Sequence, residues 1–292
     1  MEMFGTLVLI GVTSGVLLGL VYALLSTGFN FSLGVSRVVN LQHGALILWT
    51  MYAAFYLHEK LGWDPYLALV VLAPLAFAVG YAMYRLLVVR SLTMPEDSQI
   101  LFSMGLLIAF QYLAQFFFST DARSLSTGMQ GSLVLGDLVI QHSRMIAGGV
   151  ALLVLFALAF TLARTDIGRN LRACALNPVG AQVCGLDVKH LSAVAMGISG
   201  VCGAISGVAL ATLVPIYPER AFEYAIMAIV VSAVGGLGSM LGSVLGGLMV
   251  GVIIAVCQSL GYGGMAQAIV YGLVFLIFLF RPTGLVKSAL PA

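Results

Sequence analysis

A chain of 292 residues that is 61% apolar and only 8% charged cannot clothe a water-soluble globule of its size, because soluble domains carry about a quarter charged residues. Its surface must instead face hydrocarbon, and a net charge of +2 without any basic tract is too small to argue for nucleic acid, so no nucleic-acid partner is expected. Cys174, Cys184, Cys202 and Cys257 lack metal-type or CxxC spacing and read as small apolar residues.

Met1-Glu2-Met3 puts no basic segment ahead of the first apolar run, so a true span is expected there rather than a cleaved signal peptide. Apolar runs bounded by charge follow at 4–33, 41–57, 66–89, 99–118, 144–163, 190–213, 223–260 and 265–280. The run 223–260 is too long for one helix and is broken by Gly235-Gly236-Leu237-Gly238, giving either two spans or a span with a re-entrant piece. The run 4–33 is overlong as well, with Gly28 and Gly34 near its end. At about 20 residues per crossing, the expectation is an all-α, polytopic transmembrane bundle of about nine spans, within a range of roughly eight to ten. It forms a single transmembrane domain over residues 1–292.

Lys and Arg concentrate on the cytoplasmic side of membrane proteins. An outside N-terminus and a cytoplasmic C-terminus place Arg37, Arg85, Arg90, Arg164, Arg169, Arg172, Lys189, Arg281 and Lys287 inside. Only Lys60, Arg123, Arg144 and Arg220 then lie outside.

Ahead of the second run, Asn40, Gln42 and His43 gather three hydrogen-bonding side chains beside Gly44. Polar groups at membrane depth must be satisfied or face a cavity. These residues, with Gly235, Gly236 and Gly238 at the later break, are candidates for a translocation path, since broken helices recur in transporters. The alternative is structural: Asn40 caps a helix and His43 bonds a neighbouring carbonyl. Gly11, Gly15 and Gly19 fall four apart, as do Gly238, Gly242 and Gly246, and Gly203 and Gly207 form a shorter pair; such strips let helix backbones pack closely.

The extracytoplasmic loop 119–143 holds two apolar stretches around Gly136-Asp137, read as a small hairpin. The inside loop 164–189 carries more. Asn177 followed by Pro178 is a helix start, and Gly185 suits the position just past a helix end. A short helix of roughly 178–184 is expected at the membrane surface, after a basic turn with Arg164, Arg169 and Arg172. Ala173, Ala175, Gly180 and Ala181 leave room there for a partner to approach. The plain alternative is a solvated connector containing a helix. Near 218–223, Glu219, Arg220 and Glu223 are candidates to face an external solute receptor, or simply mark the interface.

An enzymatic reading draws on Gly197-Ile198-Ser199-Gly200, the GxSG pattern of rhomboid proteases, whose Ser needs a His on a later span. His43, His58, His142 and His190 all precede Ser199, so the reading fails. No GxxxxGK[ST] loop occurs, so ATP used in transport must be hydrolysed on another polypeptide. A self-contained secondary carrier is the rival by composition; carboxylates such as Asp64, Asp97, Asp121, Asp166 and Asp187 lie in loops or at span ends, which weakens proton coupling.

Four ordered motifs carry a resemblance. Arg164-Thr165-x-x-Gly168-Arg169-x-Leu171-Arg172-Ala173-x-Ala175-x-Asn177-Pro178-x-x-Ala181, running on to Gly185-Leu186, resembles the coupling segment of permeases in ABC importers for branched-chain amino acids. Gly34-Val35-x-Arg37-Val38-x-Asn40 with His43-Gly44, Gly235-Gly236-x-Gly238-Ser239-x-x-Gly242 with Gly246-Gly247, and Pro282-Thr283-Gly284 are similar to three further passages of that family. Gln42 departs from the family's Ala, and Met240-Leu241 lacks the Pro common before Gly242. The resemblance implies the shorter of two homologous permeases, paired with the other, with two cytoplasmic ATPases and with an extracytoplasmic solute-binding protein, in a bacterial cytoplasmic (inner) membrane. It implies that this chain binds no cofactor, ATP and magnesium residing on the ATPases. Importers of urea, short amides or aromatic acids are the alternatives within the same resemblance.

Overall fold

The computed structural model describes residues 2–125, 131–135, 138–281 and 284–286, almost all of them helical. Helix α1 (Glu2–Ser36) runs unbroken for 35 residues, so Gly28 and Gly34 do not interrupt it. A Cβ on Gly28 would stand 2.7 Å from the Cβ of Cys202, so this glycine admits a neighbouring helix. That close packing offsets the cost of a helix-interior glycine, about 1 kcal/mol. α1 stops at Arg37, whose φ of +57° is left-handed.

α2 (His43–Leu61) ends on Gly62. The Asp64 carboxylate accepts the amides of Tyr66 and Leu67 to cap α3 (Pro65–Met83), with Pro65 in the first turn. α3 passes Pro74 and loosens into a π-helical turn at Tyr84–Val88 before the short α4 (Val89–Ser91). α5 (Glu96–Phe118) leads to the expected hairpin, β1 (Ser132–Leu135) antiparallel to β2 (Leu138–Gln141) with Ser132 opposite Gln141. Its turn residues Gly136 and Asp137 lie outside the described residues, as do Pro282, Thr283 and Lys287. Then follow α6 (His142–Arg164), α7 (Asp166–Leu176), α8 (Pro178–Val183), α9 (Val188–Ala211), α10 (Arg220–Gly235), α11 (Met240–Ser259) and α12 (Ala266–Phe280).

Among the described residues, 7 stretches are long and apolar enough to cross a bilayer: Phe4–Ser36, Pro65–Ser91, Glu96–Phe118, His142–Arg164, Val188–Ala211, Met240–Ser259 and Gly263–Phe280. The nine expected from the sequence are not reached on that measure. α2 spends its last turn on His58, Glu59 and Lys60. α10 has 16 residues, about 24 Å of helix against a hydrocarbon core of roughly 30 Å. The break expected inside 223–260 is real and falls at 236–239.

α9 is the central helix, buried on nearly every side. Small residues make this possible: a Cβ on Gly200 would reach within 2.4 Å of the Ala76 carbonyl on α3, and one on Gly207 within 2.4 Å of Thr50 on α2. The second seam joins α1 to α11. Gly11, Gly15 and Gly19 lie against Val256, Val252 and Leu248, while Gly251 of α11 faces Gly19. These are packing glycines, with backbone against backbone. Gly238 does not continue the strip of Gly242 and Gly246, because it lies in the break with φ +74°.

The helix ends sort by charge. Val35, Leu171, Cys174, Ala181 and Leu191 form one buried cluster, and Val38, Tyr84, Val88, Ala193 and Met196 its neighbour. This gathers Arg37, Arg85, Arg90, Arg164, Arg169, Arg172 and Lys189 at one end of the bundle, hereafter the basic end. Gly284, packed on Gly236, brings Arg281 to the same end. The β-hairpin, Lys60, Arg123 and Arg144 occupy the other.

The α1–α11 seam yields a stability prediction. Gly15→Leu places a side chain where the Val252 Cα leaves 2.6 Å, and is expected to cost about 1–3 kcal/mol or more. Gly105→Ala on α5, with nothing within 4 Å, is expected to stabilise by about 0.5–1 kcal/mol. Thermal melts of the purified variants in one detergent measure both.

Candidate functional site

The segment 164–189 folds as two short helices rather than one. Thr165 Oγ1 accepts the Gly168 amide at 3.1 Å to start α7, and Asp166 pairs with Arg169 in its first turn. A Cβ on Gly168 would meet the Leu162 Cα and carbonyl at 2.5 Å, so glycine is what lets α7 fold back on the end of α6. Asn177 Oδ1 accepts the Gly180 amide at 2.9 Å and Pro178 opens α8, as the Asn-Pro pair implied. Gly185 ends the turn at φ +84°. Asp187 then caps α9, and the His190 amide bonded to it holds its carboxyl below the usual carboxylate range.

The side chains of this segment divide cleanly. Leu171, Cys174 and Ala181 turn inward onto Val35, Leu191 and Ala195. Ala181 therefore faces the bundle, not an approaching partner, and Ala173 is half-buried. Outward point Arg164, Arg169, Arg172 and Asn177, with Ile167, Leu176, Val179 and Val183 among them. Val183 is 85% exposed. Apolar side chains in that number are more than a connector facing only water carries.

The second group divides differently from expectation. His43 is fully buried, with Nε2 donating to the Leu25 carbonyl at 3.1 Å and Nδ1 accepting from Ser199 Oγ at 3.1 Å. It thus staples α2 to α1 and to α9. Ser199 does have a histidine within reach, on an earlier helix, which the chain-order argument did not foresee. Both residues are sealed from any substrate at 0% exposure, and a carbonyl rather than a carboxylate orients the ring. Asn40 does not cap α2: its Nδ2 donates to Met196 Sδ, and its Oδ1 has no partner. Gly44 permits the closest approach of α2 to α10, a Cβ there standing 2.2 Å from the Ala221 carbonyl.

Gln42 is 1% exposed with both amide atoms unpartnered. It lines an apolar cavity of about 270 Å³ between α2, α3 and α5, with Trp49, Leu72 and Phe110 among the walls. Gly235 lies under Gly242, and Gly236 and Gly238 make the turn between α10 and α11. That turn is held by Asn30, which the sequence reading passed over. Its Nδ2 donates to Ser243 Oγ at 2.7 Å, and its Oδ1 accepts the Gly238 amide at 3.1 Å. A lone Asn within a long apolar run was the available signal. The amides of Leu285 and Val286 cap the last carbonyls of α10 at Val234 and Gly235. Gly238 and Asn30 line a separate cavity of about 270 Å³, with Thr27 and Arg172. Gln42 and the glycine break therefore face different cavities, and the residues singled out as one path are not brought together.

At the third place Glu219 is exposed, while Arg220 and Glu223 pair with each other at 2.7 Å. Tyr217 OH donates to Glu223 at 3.2 Å, and the Arg220 guanidinium lies 4.5 Å from the Tyr217 ring centroid.

Residues 11–280 match the family described as branched-chain amino acid transport system, permease component. The chain is 26% identical to the high-affinity branched-chain amino acid transport system permease protein BraD of Pseudomonas aeruginosa, over 93% of each chain. It is 25% identical to the corresponding protein LivH of Escherichia coli, again over 93% of each. A probable branched-chain amino acid transport permease protein LivH of Methanocaldococcus jannaschii is 27% identical over 73% of this chain and 70% of that one. No solved structure matches significantly.

Two substitutions separate structure from solute. Asn30→Leu strands the Gly238 amide and is expected to cost about 1–3 kcal/mol. Gln42→Leu removes two unpaired buried atoms and is expected to leave stability unchanged or higher by about 1 kcal/mol. Thermal melts of the two variants check the pair, and a fall in uptake by a stable Gln42→Leu protein assigns that carboxamide to the solute.

Proposed function

The chain belongs to the branched-chain amino acid permease family, and on that premise we propose that it is a membrane subunit of an ATP-driven importer of branched-chain amino acids. It is not itself the enzyme of that system. It pairs with a second homologous permease, two cytoplasmic ATPases that carry the ATP and magnesium, and an extracytoplasmic solute-binding protein. It sits in a bacterial inner membrane with its N-terminus outside and its C-terminus in the cytoplasm. The sorting of arginines to one end of the bundle supports that orientation.

One observation carries the coupling role: the apolar side chains exposed on α7 and α8, ringed by Arg164, Arg169 and Arg172. A chain without a phosphate-binding loop must take its work from elsewhere, and this is the surface fitted to receive it. The inward face of the same helices supports a path for such a push. Leu171 and Ala181 pack against Val35 of α1 and Leu191 and Ala195 of α9. Closure of the ATPases would thus tilt α1 and the central helix together. α9 in turn is stapled to α2 through Ser199 and His43, so the solute route opens alternately to each side.

Glu219, just before α10 and the one exposed member of the outer group, is the residue left to meet the loaded receptor. A second reading, an importer of urea or short amides, draws on Gln42, whose unpartnered carboxamide presents a donor and an acceptor to a cavity.

The double variant Val179→Glu/Val183→Glu alters only exposed side chains and so should leave the fold intact. Co-purification of the ATPases and uptake are expected to fall on the order of tenfold or more, since charges would enter an apolar interface. Unchanged ATPase retention and unchanged uptake would remove the docking role.

A further inference from the structure

Sequence spacing sets Arg220 and Glu223 at the water interface, but their contacts set them deeper. His43 bonds the carbonyl of Leu25, which lies roughly 16 Å along α1 from its last residue, Ser36. In the other direction Leu25 lies roughly 21 Å from Gly11, the glycine packed beside the end of α11 at Ser259. The next residue, Gly44, packs on the Ala221 carbonyl, and Arg220 adjoins it. The start of α10 is therefore tied to the middle of α1. This also explains why α10 is short: the chain after α9 dips into the bundle before the helix begins.

An arginine and a glutamate at that depth are costly and uncommon, and such residues mark solute routes. Their pairing is incomplete. Arg220 Nε has no partner, and neither does the hydroxyl of Tyr224, a residue only 4% exposed. Tyr22 lies in the field of both charges and Tyr271 in that of Glu223.

We propose that Arg220 and Glu223 form a binding site for a zwitterion, an amino acid held by both of its charges as it crosses the membrane. The α-carboxylate takes Arg220 and the Tyr224 hydroxyl, and the α-ammonium takes Glu223. When the site is empty the two residues close on each other, which avoids an unpaired charge at depth. When it is occupied, one internal ion pair becomes two with the solute, and the filled site remains neutral. The inference rests on the amino-acid importer reading above and locates where in this chain the solute is held.

The test uses the assembled importer in proteoliposomes, with leucine-loaded receptor in excess and ATP inside. Tyr224→Phe removes a hydroxyl that makes no bond in the structure, so a purely structural role leaves uptake unchanged. Arg220→Met/Glu223→Met replaces the pair with apolar chains of similar length, a change that a purely structural pair tolerates. The proposal expects leucine uptake to fall about fivefold or more in Tyr224→Phe and to be lost in the double variant. Uptake retained in either assembled variant overturns the site, and if the double variant does not assemble, Tyr224→Phe alone decides. A parent complex that imports no leucine contradicts the amino-acid reading itself, which is a separate outcome.

Discussion

A polar group in the hydrocarbon of a bilayer has no water to bond, so whatever this chain places there must find its partner within the protein. The consequences run through the bundle. Asn30 spends its side chain on the break at 236–239, His43 ties three helices through two ring nitrogens, and Arg220 closes on Glu223. Each bond fixes one helix against another at a definite height. Some buried polar atoms have no partner, and at three of these residues, Gln42, Tyr224 and Thr27, the structure offers a cavity or a charge nearby.

Between these polar anchors the helices meet through glycine. The α1–α11 seam and the surroundings of α9 bring backbones so close that a single methyl group would collide. Interfaces of this kind resist compression, and a displacement at one end is carried along the helix rather than absorbed. α7 and α8 are joined to that frame by a small buried cluster and present their other faces outward. Under the proposed function, that outward face is where the separate ATPases would act.

Much of this was legible in the residues. The apolar runs located the helices, Asn177-Pro178 and Gly185 marked α8, and the glycine break divided 223–260 where it was expected. Legibility failed where a role depends on depth or on a distant neighbour. Arg220 and Glu223 looked like interface charges because sequence shows only their adjacency to Pro218, not the dip of the chain before α10. His43 could not be matched with Ser199 from chain order, since the two helices meet only in the packed bundle. Ala181 looked like an opening for a partner because a small residue reads the same whether it faces in or out. The count of about nine spans is not confirmed, because an apolar run does not reveal that its helix, α10, has only 16 residues.

The account turns on force entering at α7 and α8 from the cytoplasmic side, and Cys184, exposed at the end of α8, reports on that directly. In a Cys257→Ser background, with Cys174 and Cys202 buried, a membrane-impermeant maleimide should label Cys184 in inverted vesicles that carry the permease without its ATPases. Binding of the ATPases should protect it. Labelling from the outside of intact cells, or labelling indifferent to the ATPases, would contradict the account.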